Sequence, residues 1–472
     1  MKLIFFSFPL IIFSSCSSGT KTGNASAAVA AVPAKDSTLE KGKVIPKIKC
    51  KADSNINYSL YLPKNYSAKD KFPVIFFFDS HGSGDLPLKK YAALAEKYGY
   101  ILAGSNNSKN GMRWEDNEPQ IKVFMSDVKE KLNVDAKRIY ACGFSGGSRV
   151  ASSVAIFDGG IAGVIGMGAG FPSLSEPIRN KFDYIGFAGN EDFNMNEMVA
   201  LDSSMNHSPI RHQFIIFNGK HEWAPDHIAE DAFGWCEVNA MKDGLISKND
   251  TLIKSCIANA KQLLENCERD KQLFSALMLC RKMIAFYDGL ADISFFRKKE
   301  AELMNSDAVK KLLAQKQKLV KEEVGLYQSL RNDFALKNVE WWKKEINSID
   351  QRTKNKNDVE SARMNKRLLN YLSLVAYMNC SSALQAKQWD MLETYLKIYE
   401  MAEPSNPEHQ YMYAELFAAK KNSEKEVFYL QNAVKLGFDD VNRMQSDGAF
   451  ANIQNGDAFK KIIEEMKNKK ND

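Results

Sequence analysis

Short apolar runs recur along the first half of the chain, at residues 57–62, 73–78, 100–105, 138–142, 163–167, 184–188 and 213–217. The central ones are apolar at consecutive positions rather than alternate ones, the pattern of strands covered on both faces. Amphipathic stretches separate them, at 88–98, 121–132 and 197–205. Strand–helix alternation of this kind predicts an α/β fold with a mostly parallel sheet flanked by helices. The opening pair, near 44–50 and 57–62, has no helix between its members and predicts an antiparallel hairpin at the sheet edge.

The grammar changes near residue 246. Beyond it the only prolines are Pro404 and Pro407, glycine is sparse, and long Lys-, Glu-, Leu- and Ala-rich stretches carry helical spacing. The expected organisation is an α/β domain at 44–245, a helical region at 246–370 and helical repeats at 371–472. In the last part Leu392, Leu396 and Tyr399 share one helical face ahead of Pro404, and Leu430 and Ala433 stand 34 residues after Leu396 and Tyr399. This period resembles tetratricopeptide repeats, whose helical hairpins stack into arrays. The tail, Asp447-Gly448-Ala449-Phe450 and then Asp457-Ala458-Phe459 with Ile462 and Ile463, resembles the segment that caps such arrays. Residues 246–370 show helical spacing without a period.

The N-terminus has a different character. Lys2 precedes an apolar run from Leu3 to Phe13, too short to span a bilayer, and Ser14-Ser15-Cys16 follows. This resembles a bacterial lipoprotein signal, with Phe13 where leucine is usual. The resemblance implies a signal peptide at 1–16, lipidation of Cys16, and an exported protein anchored to a lipid bilayer on the periplasmic side or the cell surface. Residues 17–43 are mostly small and polar and read as a flexible tether. A net charge of +6 over 472 residues, spread along the chain, implies no nucleic-acid partner. The seven other cysteines form no C-x-x-C pair, which argues against zinc, and their number and spacing argue against a dense disulfide framework. Most read as small buried apolar residues.

Candidate chemistry centres on Gly143-Phe144-Ser145-Gly146-Gly147, a Gly-x-Ser-x-Gly at the end of an apolar strand and the start of a helix. A serine on a sharp strand-to-helix turn is presented to substrate, with the helix N-terminus directing partial positive charge at it. Acyl transfer also needs a base, a carboxylate to orient it, and donors for the oxyanion. Asp192, in the loop after the 184–188 strand, is the first candidate for the carboxylate and Glu191 the second; either could instead cap the following helix. Of six histidines, only His221 lies in a loop directly after the last strand. The loop Asp79-Ser80-His81-Gly82-Ser83-Gly84 follows an earlier strand. It offers an oxyanion donor at Ser83 beside one at Gly146, with His81 a loop-supporting residue. Trp114, Trp223 and Trp235 could line a site or fill a core, and core is expected.

Together His81-Gly82, Gly143–Gly147, Asp192 and His221, in this order, resemble the α/β-hydrolase superfamily over residues 55–245. They stand nearest its small lidless esterases, such as dienelactone hydrolases and polyhydroxybutyrate-depolymerase-like esterases. Asp79-Ser80 ahead of His81 departs from the commoner hydrophobic pattern. The resemblance implies a serine hydrolase cleaving a small or polymeric carboxylic ester through an acyl-enzyme on Ser145. No metal or organic cofactor is implied. Two alternatives stay open: a serine peptidase on the same scaffold, and a protein-interaction module whose hydrolase half is degenerate. In either case the helical half is expected to offer a protein or peptide partner its concave face.

Overall fold

The computed structural model describes residues 38–174 and 177–469. The expected signal peptide, Cys16 and most of the tether lie outside the described residues. Eight strands form one sheet: β1 (Val44–Lys49), β2 (Asn57–Tyr61), β3 (Phe72–Phe78), β4 (Ile101–Ser105), β5 (Val134–Phe144), β6 (Gly163–Met167), β7 (Asp183–Gly189) and β8 (His212–Phe217). Their order is β1-β2-β4-β3-β5-β6-β7-β8. β1 and β2 pair antiparallel at one edge, β2 joins β4 antiparallel, and every other neighbouring pair is parallel. The mostly parallel sheet and its edge hairpin are thus as expected. β5 starts earlier than the apolar run predicts, because Val134 pairs with Phe72 before the ladder shifts register.

Helices α1 (Asp85–Tyr98), α2 (Trp114–Lys131), α3 (Gly146–Ser153), α4 (Met195–Met205) and α5 (Asp226–Lys242) cover both faces. β3 shows why its sequence is apolar throughout. Val74, Phe76 and Phe78 enter a core with Phe124 of α2, Ala151 of α3 and Met198 of α4. Ile75 and Phe77 enter the opposite core with Tyr91 of α1 and Phe233 and Trp235 of α5. Alternate side chains point to opposite faces, so burial on both requires an unbroken apolar run.

A helix-rich region follows: α6 (Asp250–Arg269), α7 (Leu273–Tyr287), α8 (Ser294–Asn305), α9 (Asp307–Asp333), α10 (Val339–Thr353), α11 (Val359–Gln385), α12 (Trp389–Ala402), α13 (Pro407–Ala419), α14 (Ser423–Lys435), α15 (Val441–Ser446) and α16 (Asp457–Lys469). The α1/α5 core does not stop at residue 245. It continues through Ile253 and Leu264 of α6, Leu277, Cys280 and Phe286 of α7 and Phe296 of α8, with Trp235 and Phe286 rings 5.1 Å apart. Separate cores hold α9–α13, around Trp342, Leu372 and Leu396, and α13–α16, around Leu430, Met444 and Phe450. Among the described residues no cysteine is bridged, and Cys50, Cys142, Cys236, Cys280 and Cys380 are buried.

Candidate active site

The strands of the parallel part all deliver their C-terminal ends to one edge of the sheet, and three loops there carry the candidate residues. Ser145 follows β5 with φ 55° and ψ −121°, a conformation that residues with a Cβ rarely adopt. Its N–H donates to Met167 O at 2.8 Å, which fixes the turn against β6. The glycines on either side are required by close approach. A Cβ on Gly143 would lie 2.0 Å from Gly147 O, and one on Gly147 would lie 1.9 Å from Phe78 O. The helix can therefore start immediately beside the strand it leaves only because both positions lack side chains.

The serine, the histidine and the first-choice carboxylate come together. Ser145 Oγ lies 2.9 Å from His221 Nε2. His221 Nδ1 lies 2.9 Å from both Oδ1 and Oδ2 of Asp192. Asp192 is completely buried, while the imidazole remains partly exposed. The carboxylate also accepts the Asn194 N–H at Oδ1, 2.8 Å, so it closes a turn ahead of α4 while holding the histidine. The helix-cap alternative is not what the structure shows: the cap position of α4 is Asn194, and no side chain caps the helix.

Glu191, the second candidate, turns the other way and pairs with Lys366 Nζ of α11 at 2.6 Å. His81 is solvent-exposed and takes no part in the Ser–His–Asp cluster; its backbone N–H donates to Asp79 Oδ1 at 2.8 Å. The Ser83 N–H is directed at the same oxygen, 3.3 Å away, so it is engaged within the protein and does not present a free donor as expected. The cause is Asp79, the residue that departs from the hydrophobic pattern. It is buried, gathers its own loop, and accepts from Trp223 Nε1 at 3.3 Å. Gly146 remains as a donor: its N–H opens α3, where no intrahelical acceptor exists. A Cβ on Gly146 would fall 1.7 Å from Asn110 Oδ1, so the exposed Asn110 amide borders this spot.

Several contributors carry no motif. Gly168, with φ +66°, lets β6 end against the pair; a Cβ there would sit 3.1 Å from His221 Cε1 and 3.2 Å from Asp192 Oδ2. The imidazole is flanked by Phe144, with ring centroids 4.6 Å apart, and Phe193, at 4.3 Å. These rings restrict its rotation and shield the carboxylate side. A glycine directly after an apolar strand was the one sequence signal for Gly168; nothing local marked Phe193. Trp223 packs in the core with its ring 5.5 Å from Phe144 and Trp235 is buried, as expected, while Trp114 is half-buried against Phe157. No cluster of potential metal ligands occurs among the described residues.

No protein-family model matches the chain, and none of the curated proteins compared with it is similar. Among solved structures it is similar to FphF, a fluorophosphonate-binding serine hydrolase of Staphylococcus aureus, at 13% identity and TM-score 0.35, covering 42% of this chain and 99% of that one. It is similar also to the S-formylglutathione hydrolase FrmB of Staphylococcus aureus, at 12% identity and TM-score 0.34, covering 42% and 98%. A third is the feruloyl esterase module from Clostridium thermocellum, at 13% identity and TM-score 0.35, covering 40% and 86%. No conclusion about activity or substrate rests on likeness at this level.

Proposed function

We propose that the protein is a serine hydrolase that cleaves a carboxylic ester through an acyl-enzyme on Ser145, with Asp192 and His221 completing the triad. The observation that carries this reading is the unbroken Ser145–His221–Asp192 hydrogen-bond line, each contact at 2.9 Å, on three loops at one edge of the sheet. His221 Nε2 takes the Oγ proton as Oγ attacks the acyl carbon, then returns it to the departing alcohol. Asp192 holds the ring in the tautomer with Nδ1 protonated and stabilises the imidazolium as it forms. The Gly146 N–H, at the positive end of α3, stabilises the oxyanion. Water repeats the sequence to release the acid. On this reading the enzyme acts on a small or polymeric ester, Cys16 anchors it to the outer side of a bacterial membrane, and repeat-like helical hairpins engage a protein or peptide.

A fluorophosphonate probe and a p-nitrophenyl ester test the chemistry. Ser145→Ala abolishes labelling and turnover, and mass spectrometry maps the wild-type adduct to Ser145; equal labelling of variant and wild type would remove the assignment. Asp192→Asn lowers kcat by about three to four orders of magnitude, whereas Glu191→Gln retains kcat within about twofold. The reverse ranking would make Glu191 the triad acid.

A further inference from the structure

Two of the four backbone carbonyls in the acid loop, residues 190–193, are held from the helical half of the chain. Arg367 Nη1 donates to Asn190 O at 2.7 Å and Asn370 Nδ2 to Glu191 O at 2.8 Å, while the Tyr327 hydroxyl oxygen lies 3.3 Å from Phe193 O with its one proton directed to Glu323. The fourth, Asp192 O, is used by the first turn of α4. Arg367 and Tyr327 are both aimed by one residue. Glu323 of α9 is fully buried, takes Arg367 as a fork through Nε and Nη2 at 2.7 and 2.6 Å, and accepts the Tyr327 hydroxyl at 2.6 Å. A buried ion pair gains little stability over an apolar replacement unless its remaining polar atoms are satisfied. Here they are satisfied by the acid loop, and the planar guanidinium fixes the direction in which its remaining N–H groups point.

Resting on the triad reading above, we infer that Glu323, Arg367, Tyr327 and Asn370 are positioning residues for the reaction: the helical half sets the place of Asp192 and of Phe193 against His221. They touch no reacting atom. Their effect passes through the backbone of 190–193, which carries the carboxylate on one residue and the ring that flanks the imidazole on the next. A chain whose helical half is displaced keeps Ser145 on its own strand turn but loses the register between Asp192 and His221. Misplacement of a catalytic pair by a fraction of an ångström to an ångström is enough to slow the chemical step while leaving substrate binding nearly unchanged.

The test uses the full chain and positioning variants that leave the buried Glu323 charge paired. Tyr327→Phe removes the hydroxyl that steadies Glu323 and keeps the ring that packs on Tyr371, centroids 4.3 Å apart. Asn370→Ala removes one amide; Arg367→Lys keeps the charge beside Glu323 but not the fork. Arg443→Met, in a distant pair with Glu408, controls for loss of helical-half stability. Two readouts are taken at matched folding: kcat and KM on p-nitrophenyl acetate, and the low-field proton resonance of the His221–Asp192 hydrogen bond. The expected result for Tyr327→Phe with Asn370→Ala is kcat about tenfold lower at KM within about twofold, with a shifted or broadened resonance. Arg367→Lys falls between this variant and wild type, and Arg443→Met matches wild type. A double variant with wild-type kcat and wild-type resonance overturns the inference. If the wild type shows no Ser145-dependent turnover, the triad reading fails, while a resonance that moves in the double variant still supports positioning and one that does not overturns it.

Discussion

Helices α6–α8 and helices α12–α16 are both amphipathic, but they relate to the sheet in opposite ways. The first group shares a continuous apolar core with α1, α5 and the strands. The second is built around cores of its own. α9 passes from one regime to the other, with Val309 in the sheet's core and Leu330 in the next, a helix of 27 residues and so about 40 Å long. α11 reaches the α/β half through hydrogen bonds to the acid loop, with the Tyr327 hydroxyl of α9 lying against the Phe193 carbonyl. A boundary drawn where strands give way to helices therefore falls inside one packing unit. The energetic seam lies further along, near α9, and polar contacts cross it.

The largest expected break in this comparison comes from truncation. A chain ending at residue 245 strips α6–α8 from the sheet's core and leaves Trp235, Phe233 and Cys236 uncovered; it is expected to be insoluble or to lack a cooperative melt by circular dichroism. A chain ending after Lys421 loses only α14–α16 and is expected to fold with p-nitrophenyl acetate turnover within about twofold of wild type, since no triad or acid-loop contact is removed. A soluble, cooperatively melting 38–245 fragment would show that the shared core is dispensable.

Point variants sharpen the same contrast. Phe286→Ala and Phe450→Ala each delete a buried ring and should each cost about 3–5 kcal/mol. By scanning calorimetry Phe286→Ala is expected to lower the transition that carries the sheet. Phe450→Ala should lower a helical transition and leave the sheet's in place. Identical shifts of one single transition in both variants would mean that the two regions melt as a unit.

A pH series between 5 and 8 reaches the distal group through one buried carboxyl. Burial, with the charge of Asp447 second, pushes the Glu415 carboxyl up to about 8 from 4.5. The folded state then keeps a proton that the unfolded chain releases, so stability falls as pH rises from 4.5 towards 8. Glu415→Gln removes this dependence, and its stability relative to wild type should grow by on the order of 3 kcal/mol between pH 5 and 8. A constant difference across that range in thermal melts would contradict the assignment.

The smallest effect concerns three turns. Lys271, Lys387 and Lys421 have φ near +55°, each between two helices, and in each the next residue's N–H bonds a carbonyl five positions back. This closure favours glycine. Lys421→Gly should stabilise by about 0.5–1 kcal/mol, visible as a small rise in the helical transition alone.

Much of the α/β half was legible because burial on two faces writes itself into consecutive residues such as Phe76-Phe77-Phe78. That Ser145, Asp192 and His221 meet was legible through order and strand context. What failed was local in appearance but decided by longer range. Ser83 looked like a free donor until buried Asp79 claimed its N–H, and Asp79 is held buried in part by Trp223, 144 residues away. The continuity of the core past residue 245 was hidden because a helix face that meets a sheet and one that meets another helix follow the same period. The clamp on the acid loop was invisible for a simpler reason: Arg367 and Asn370 are ordinary helix residues whose partners lie 177 and 179 positions earlier.

Those separations have a consequence in time. Synthesis delivers Asn190, Asp192 and Phe193 long before Arg367 and Asn370, and closing so long a loop is among the slower steps of folding. The sheet and the Ser145 turn can form while the loop that carries Asp192 still lacks its last carbonyl partners. A site wired in this way acquires its finished Ser145–His221–Asp192 line only when the chain is nearly complete, so on the proposed function a nascent or prematurely terminated copy bears the serine without the machinery to use it fully.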